Sequence, residues 1–268
     1  MNDWLLAELS AARKSRAACA LVTVVATRGS VPREIGSKML VYADGKTSGT
    51  IGGGRFESLV VLDSLEQMQQ KQSLLKIYPL HEHSPESFGA ICGGEVSVFI
   101  EPQLLSEAIF LIGAGHCALA VGKLAVECGL LVSVVDDRKE QLSLFPQPVV
   151  AVSDVDPPAF IKNRKWQSDE ALVIVSRNHE IDRKALEAAL EVSNIGYIGM
   201  IGSTRKVQRV FDLLRETGIS QERLSNVYAP MGLDIDADAP AEIAVSVVAE
   251  ILAVLRKRDA HHLRLKKT

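Results

Sequence analysis

No stretch of this chain approaches the roughly 20 consecutive apolar residues that would cross a bilayer. Its opening segment, MNDWLLAELSAARKSRAA, carries Asp3 and scattered charge where an export signal needs an uninterrupted apolar centre. Net charge is also slight, −3 at pH 7 over 268 residues, which gives no electrostatic reason to expect a nucleic acid or a membrane surface as partner. Cysteine is sparse: Cys19, Cys92, Cys117 and Cys128 form no C-x-x-C pair, and without an export signal they are expected as reduced thiols in a cytoplasm. What remains is ordinary for a soluble globular chain, 47% hydrophobic and 24% charged, and long enough for two modest domains.

The most informative stretch is AIFLIGAGHCALAVGKLAVECGLLVSVVDDR, Ala108 to Arg138. A short apolar run suits a buried strand over 108–112; a glycine turn leads into a helix that runs to Glu127 and is stopped by Gly129. A second apolar run, Leu131 to Val135, ends in Asp136-Asp137-Arg138. This is the order of a dinucleotide-binding βαβ unit. Gly113 permits the tight turn, and Gly115 leaves backbone amides open to a phosphate at a helix start, where the dipole favours an anion. Asp136 stands where an acid holds a ribose hydroxyl. The same glycines would also serve simple close packing of helix on strand, since fold does not fix function.

Before this unit, a short amphipathic helix over 4–12 and a β-branched strand over 19–26 lead to a loop carrying Arg28 and Arg33, candidate anion ligands at a strand end. A strand over 38–42 and a hairpin turn at Asp44-Gly45 come next. Then GTIGGGRFE feeds a helix: Gly52, Gly53 and Gly54 either turn bare amides towards a ligand, with Arg55 beside them for an anion, or form a tight structural turn. Lys76 to Pro79 reads as a short strand, and His81-Glu82-His83 as an exposed loop with no metal site assigned. Cys92 precedes Gly93 and Gly94 at the mouth of a strand over 96–100; its thiol is a sulfur carrier, a ligand contact or a nucleophile, or else a partly buried small residue.

Beyond Arg138, the pattern predicts a strand from Phe145 to Val150, a turn at Asp156-Pro157-Pro158, and a buried strand over 171–175 running into SRNHEID. Ligands bind at the carboxyl ends of such strands, which makes His179 a candidate site residue or a loop-surface one, while Asp182 is a candidate site residue or the cap of a helix over 183–192. A strand over 196–201 precedes Ser203, Arg205 and Lys206 at the next helix start, where Ser203 caps or the whole group binds an anion. A sixth short strand is expected over 227–233, and a last helix from Asp238-Ala239-Pro240. The expected class is α/β: an N-terminal α/β domain over 1–104 and a Rossmann-like domain with a mainly parallel sheet over 105–268.

Eight segments in order between Val24 and Leu252 carry a family likeness: VVATRGSVPREIGSKMLV, GTIGGGRFE, ICGGEVSVFIEP, FLIGAGHCA, VVDDR, SRNHEID, YIGMIGSTRK and MGLDIDADAPAEIAVSVVAEIL. The chain resembles the XdhC/CoxI family, accessory proteins of molybdenum hydroxylases such as xanthine dehydrogenase. The resemblance implies a chaperone that binds the molybdenum cofactor, as molybdopterin or its dinucleotide form, supports its sulfuration and hands it to an apo-molybdenum hydroxylase. A cysteine desulfurase and a second copy of the chain are expected partners. Such a role places the pterin phosphate on the glycine turns with Arg55 or Arg205, and Cys92 near the metal end. The chain is too short for a hydroxylase and lacks the cysteine clusters of iron–sulfur centres. The alternative is an NAD(P)-dependent oxidoreductase, with Asp136 favouring NAD and Arg138 able to meet a 2′-phosphate; a regulatory binding module is a third reading. Against the nicotinamide reading, no hydride-transfer acid–base pair is evident, and the bulky His116 at the phosphate turn crowds or contacts the ligand.

Overall fold

The computed structural model of the chain describes residues 3–15, 17–80, 94–103 and 107–262. The chain divides into two units, Met1–Leu105 and Ser106–Thr268. Among the described residues, no helix is long and apolar enough to cross a membrane.

The first unit holds α1 (Asp3–Ser15), β1 (Cys19–Arg28), β2 (Lys38–Tyr42), β3 (Thr47–Gly49), α2 (Gly54–Gln70), β4 (Leu74–Pro79) and β5 (Glu95–Gln103). The strands form one sheet in the order β3-β2-β1-β5-β4, antiparallel throughout. Alternation along β1 sends Ala20, Val22 and Val24 to one face, where they pack with Val98 and Ile100 against Phe56 and Val60 of α2. On the other face Cys19 and Leu40 meet Leu5 and Ala12 of α1.

The second unit follows the doubly wound pattern. Its elements are β6 (Ala108–Ile112), α3 (His116–Glu127), β7 (Leu131–Val135), α4 (Lys139–Leu142), β8 (Val150–Val152), α5 (Pro157–Asn163), β9 (Glu170–Ile174), α6 (His179–Glu191), β10 (Tyr197–Met200), α7 (Thr204–Glu216), α8 (Gln221–Ser225) and α9 (Pro240–Leu255). All strand pairs are parallel, in the order β10-β9-β6-β7-β8. The central strands β6 and β9 are buried at every position, as a sheet covered on both faces requires. α3 and α9 cover one face through Ala118, Val121, Val247 and Ile251. α5, α6 and α7 cover the other through Ile161, Leu186, Val210 and Leu214.

Four local expectations are corrected. The strand expected over 145–150 is Val150–Val152, because Phe145 leaves the strand line to lay its ring over α3, 2.9 Å from where a Cβ on Gly122 would stand. Asp156 is a helix cap, its carboxylate accepting from the Ala159 amide at 3.2 Å, and the two prolines behind it open α5 instead of closing a turn. The segment over 227–233 contributes only a single bridge, Tyr228 to Gly199. Pro230 lacks a donor there, and the chain then turns off through Gly232, φ +107°, towards Ser246. Finally, α6 starts at His179 and is capped by Asn178, which accepts from the Glu180 amide at 2.8 Å; Asp182 is a buried residue of its first turn.

Candidate functional site

Strand order reverses between β6 and β9, so in the second unit the carboxyl ends of these strands open a crevice of the kind where α/β sheets bind ligands. The turn after β6 is built for close approach. Gly113 has φ +115°, and a Cβ there would stand 2.6 Å from the Val175 carbonyl oxygen at the end of β9. Gly115 is different: its backbone is extended, φ −77°, with open space around it, and it starts α3 without a side-chain cap. His116 follows at the first helical position with its side chain exposed.

Asp136, at the end of β7, is already engaged. Its carboxylate accepts from the Ala114 amide at 2.8 Å and from the Arg138 guanidinium at 2.8 and 2.7 Å, and also takes the Arg138 amide at 3.0 Å. The side chain is only 5% exposed. Burial works against its ionisation, but the hydrogen bonds from Arg138 and Ala114 outweigh it and hold the carboxyl below the usual carboxylate range. The acid expected to hold a ribose hydroxyl thus grips the phosphate turn itself. Asp137 faces outward and forms a two-pronged ion pair with Arg177, 2.8 Å on each arm, joining the ends of β7 and β9. That pairing lowers the Asp137 pKa. A cleft of about 350 Å³ opens here, lined by Gly113, Asp136, Asp137, Asp156, Ser176 and Arg177.

A second cleft, about 490 Å³, lies on the other side of Arg177, where α6 and α7 begin. Arg177, His179, Ser203, Arg205, Lys206 and Arg209 line it, and among the described residues no carboxylate does. Ser203 caps α7, its hydroxyl accepting from the Lys206 amide at 3.3 Å. Lys206 folds inward, donating to the fully buried Asp182 at 2.6 Å and to the Ile201 carbonyl at 3.2 Å. Asp182 also accepts from the Ser176 amide at 3.1 Å, so one buried acid ties β9, α6 and α7 together.

In the first unit the glycine turn seats against the arginine loop. A Cβ on Gly52, φ +141°, would stand 2.7 Å from Pro32 and 3.8 Å from the side chain of Arg33. Gly94 abuts the same loop, where its Cβ would meet the Ser30 and Arg28 carbonyls at 2.3 and 2.6 Å. The amides of this turn are not bare: the Glu57 carboxylate takes those of Ile51 and Gly53 at 3.2 and 2.9 Å and the Thr50 hydroxyl at 2.7 Å. Gly54 opens α2, and Arg28, Arg33 and Arg55 are exposed around the turn. Cys92 and Gly93, and with them His81 and His83, lie outside the described residues.

Of the residues singled out from the sequence, the second unit brings Gly113 and Asp136 to one cleft and His179, Ser203 and Arg205 to the other. Reading the sequence missed Arg177, which lines both, and Arg209. A signal was available for each. Arg177 stands three residues past the end of a buried strand, where open sheets place ligand-binding side chains, and Arg209 is one helical turn beyond Arg205.

Comparison with known proteins agrees with this architecture. The XdhC Rossmann domain model matches residues 109–251 and the XdhC and CoxI family model matches residues 12–79. Protein YqeB of Escherichia coli K12 is 36% identical over 88% of this chain. A Bacillus subtilis 168 protein, named as a probable subunit of xanthine dehydrogenase, is 31% identical over 60%. The matches span 43% and 46% of those two proteins, less than half of either. The molybdenum cofactor insertion chaperone PaoD of Escherichia coli K12 is 23% identical over 87% of this chain and 82% of its own. The crystal structure of a xanthine dehydrogenase from Bacillus halodurans shares the fold, with a TM-score of 0.51 at 21% identity, covering 97% of both chains. With most of the Rossmann unit and much of the N-terminal sheet matched, the chain belongs to the XdhC and CoxI family.

Proposed function

We propose that this chain is an accessory protein of a molybdenum hydroxylase. It holds the molybdenum cofactor, as molybdopterin or its dinucleotide form, and hands it after sulfuration to an apo-enzyme such as xanthine dehydrogenase. The observation that carries this reading is membership of the XdhC and CoxI family, with a relative named as a molybdenum cofactor insertion chaperone that matches over 82% of its length. The chemistry of the second unit fits the cargo. Every form of the cofactor bears a phosphoryl group, and the cleft at the starts of α6 and α7 presents guanidinium groups with no carboxylate in its lining. The cofactor would supply the molybdenum; this chain's residues would bind and orient it. Sulfur would come from a cysteine desulfurase partner, and Cys92 is the thiol to test in that exchange.

A nicotinamide enzyme is the weaker reading, because Asp136 is tied to Arg138 and Ala114 and has no free oxygen turned to a ribose. The test is anaerobic isolation of the chain, assay of bound pterin by fluorescence after oxidation, and addition to an apo-hydroxylase. Bound pterin and restored hydroxylase activity are expected. A chain that carries no pterin and restores nothing overturns the proposal. A Cys92→Ala chain that transfers as well as the parent removes the thiol from the account and leaves cofactor binding standing.

A further inference from the structure

We infer that the cleft between the starts of α6 and α7 is a binding subsite for a dianionic phosphoryl group. This deepens the proposed function, on which its biological meaning rests.

Of the cations around the cleft, two have acids of their own. Arg177 is matched by Asp137 and Lys206 by the buried Asp182. Among the described residues, Arg205 and Arg209 make no ion pair, and neither is hydrogen-bonded through its side chain to an acceptor. The nearby acids are engaged elsewhere: Glu180 pairs with Arg183 and Lys184, and Asp212 with Arg215. Arg205 and Arg209 stand at i and i+4 on α7, so they repel each other on one helix face, an arrangement that destabilises an isolated helix. Two uncompensated guanidinium groups, in a cleft of about 490 Å³ without a carboxylate, match the charge of one phosphoryl dianion. The guanidinium fork suits its oxygens, and the volume admits a phosphate or a diphosphate together with part of its ester.

At the glycine turn after β6 one amide is already taken. The Ala114 amide points at the Asp136 carboxylate, and Arg138 neutralises that carboxylate.

The test is isothermal titration of the full chain with inorganic phosphate and with pyrophosphate at constant ionic strength, chloride being the matched control. The wild type is expected to bind at least one of the two saturably. The Arg205→Ala/Arg209→Ala double variant should weaken that binding tenfold or more, with unchanged circular dichroism and melting, since both side chains are exposed. The Arg205→Lys/Arg209→Lys variant should retain most of it. Tighter binding of pyrophosphate points to a diphosphate-bearing ligand, and equal or tighter binding of phosphate to a monoester. Equal affinity in the wild type and the alanine double variant overturns the inference, as does the absence of saturable binding by the wild type. Because the probes are inorganic, this result is separable from failure to retain pterin: a chain that binds phosphate at these arginines yet carries no molybdopterin upholds the subsite and overturns the cofactor role.

Discussion

Replacing Asp136 by alanine should be far more damaging than replacing its neighbour Asp137, although each carboxylate makes a two-pronged contact with an arginine. The difference is burial. The Asp136 side chain is 5% exposed and its loss strands the amide of Ala114, itself 2% exposed. A buried amide without a partner costs about 1–3 kcal/mol. Arg138, being 35% exposed, regains water, so the lost ion pair adds only about 0.5–1 kcal/mol. The total is about 3 kcal/mol, which lowers the melting temperature of a domain this size by about 6–12 °C. Asp137 is 68% exposed and Arg177 43%, so Asp137→Ala should cost at most about 1 kcal/mol. Asp136→Asn, which keeps an oxygen for Ala114, should fall between the two.

The pH dependence follows from the lowered pKa of Asp136. A carboxyl held below its unfolded value contributes stability that is fully present above about pH 3.9 and is lost as the pH falls through the folded value. The gap between the wild type and Asp136→Asn should therefore be constant near neutrality and narrow in acid. Urea unfolding of both alanine variants at neutral pH, with the wild type and the asparagine variant followed into acid, measures all of this. Costs for Asp136→Ala and Asp137→Ala within about 0.5 kcal/mol of each other would refute the reasoning.

Three further outcomes follow. Gly113→Ala should cost about 2 kcal/mol or more through its positive φ and the collision with the Val175 carbonyl, while Gly115→Ala should stay within about 0.5 kcal/mol; parallel chemical denaturation separates them. Glu57→Ala should lose about 1–2 kcal/mol by releasing the Ile51 and Gly53 amides at the start of α2, read as a lower unfolding midpoint, whereas Glu57→Gln should recover part of it. The Tyr42 phenol, which donates to Glu8 at 2.6 Å, is pushed up to about 12 by that bond and by burial. Its contribution to stability is full below about pH 10 and is lost as the pH rises through that raised value, and Glu8→Gln should return the titration seen by tyrosine ring-carbon NMR towards about 10.

What was legible in the sequence were the elements whose signal is local. β2, β6 and β7 lie where apolar runs bounded by glycine or charge placed them, and α7 runs from its serine cap to the residues before Gly218. The elements misjudged are those decided by distant packing. Phe145 leaves a strand to cover α3, and Asp182 abandons a capping role to meet Lys206, 24 residues further on. The state of the glycine turns was hidden for the same reason. Their spacing shows that amides are presented, but not that Glu57 and Asp136 receive them, the latter from 22 residues away. Arg177 carried a local signal in its place after a buried strand, but its pairing with Asp137 shows only once the strand order sets β7 and β9 on either side of β6.

The cofactor role is tested most directly by one mass. Native mass spectrometry of the chain isolated without oxygen from cells that make the molybdenum cofactor should give the polypeptide plus a molybdopterin species, and the Arg205→Ala/Arg209→Ala chain should give mostly bare polypeptide. Bare polypeptide alone from the wild type would contradict the cofactor role.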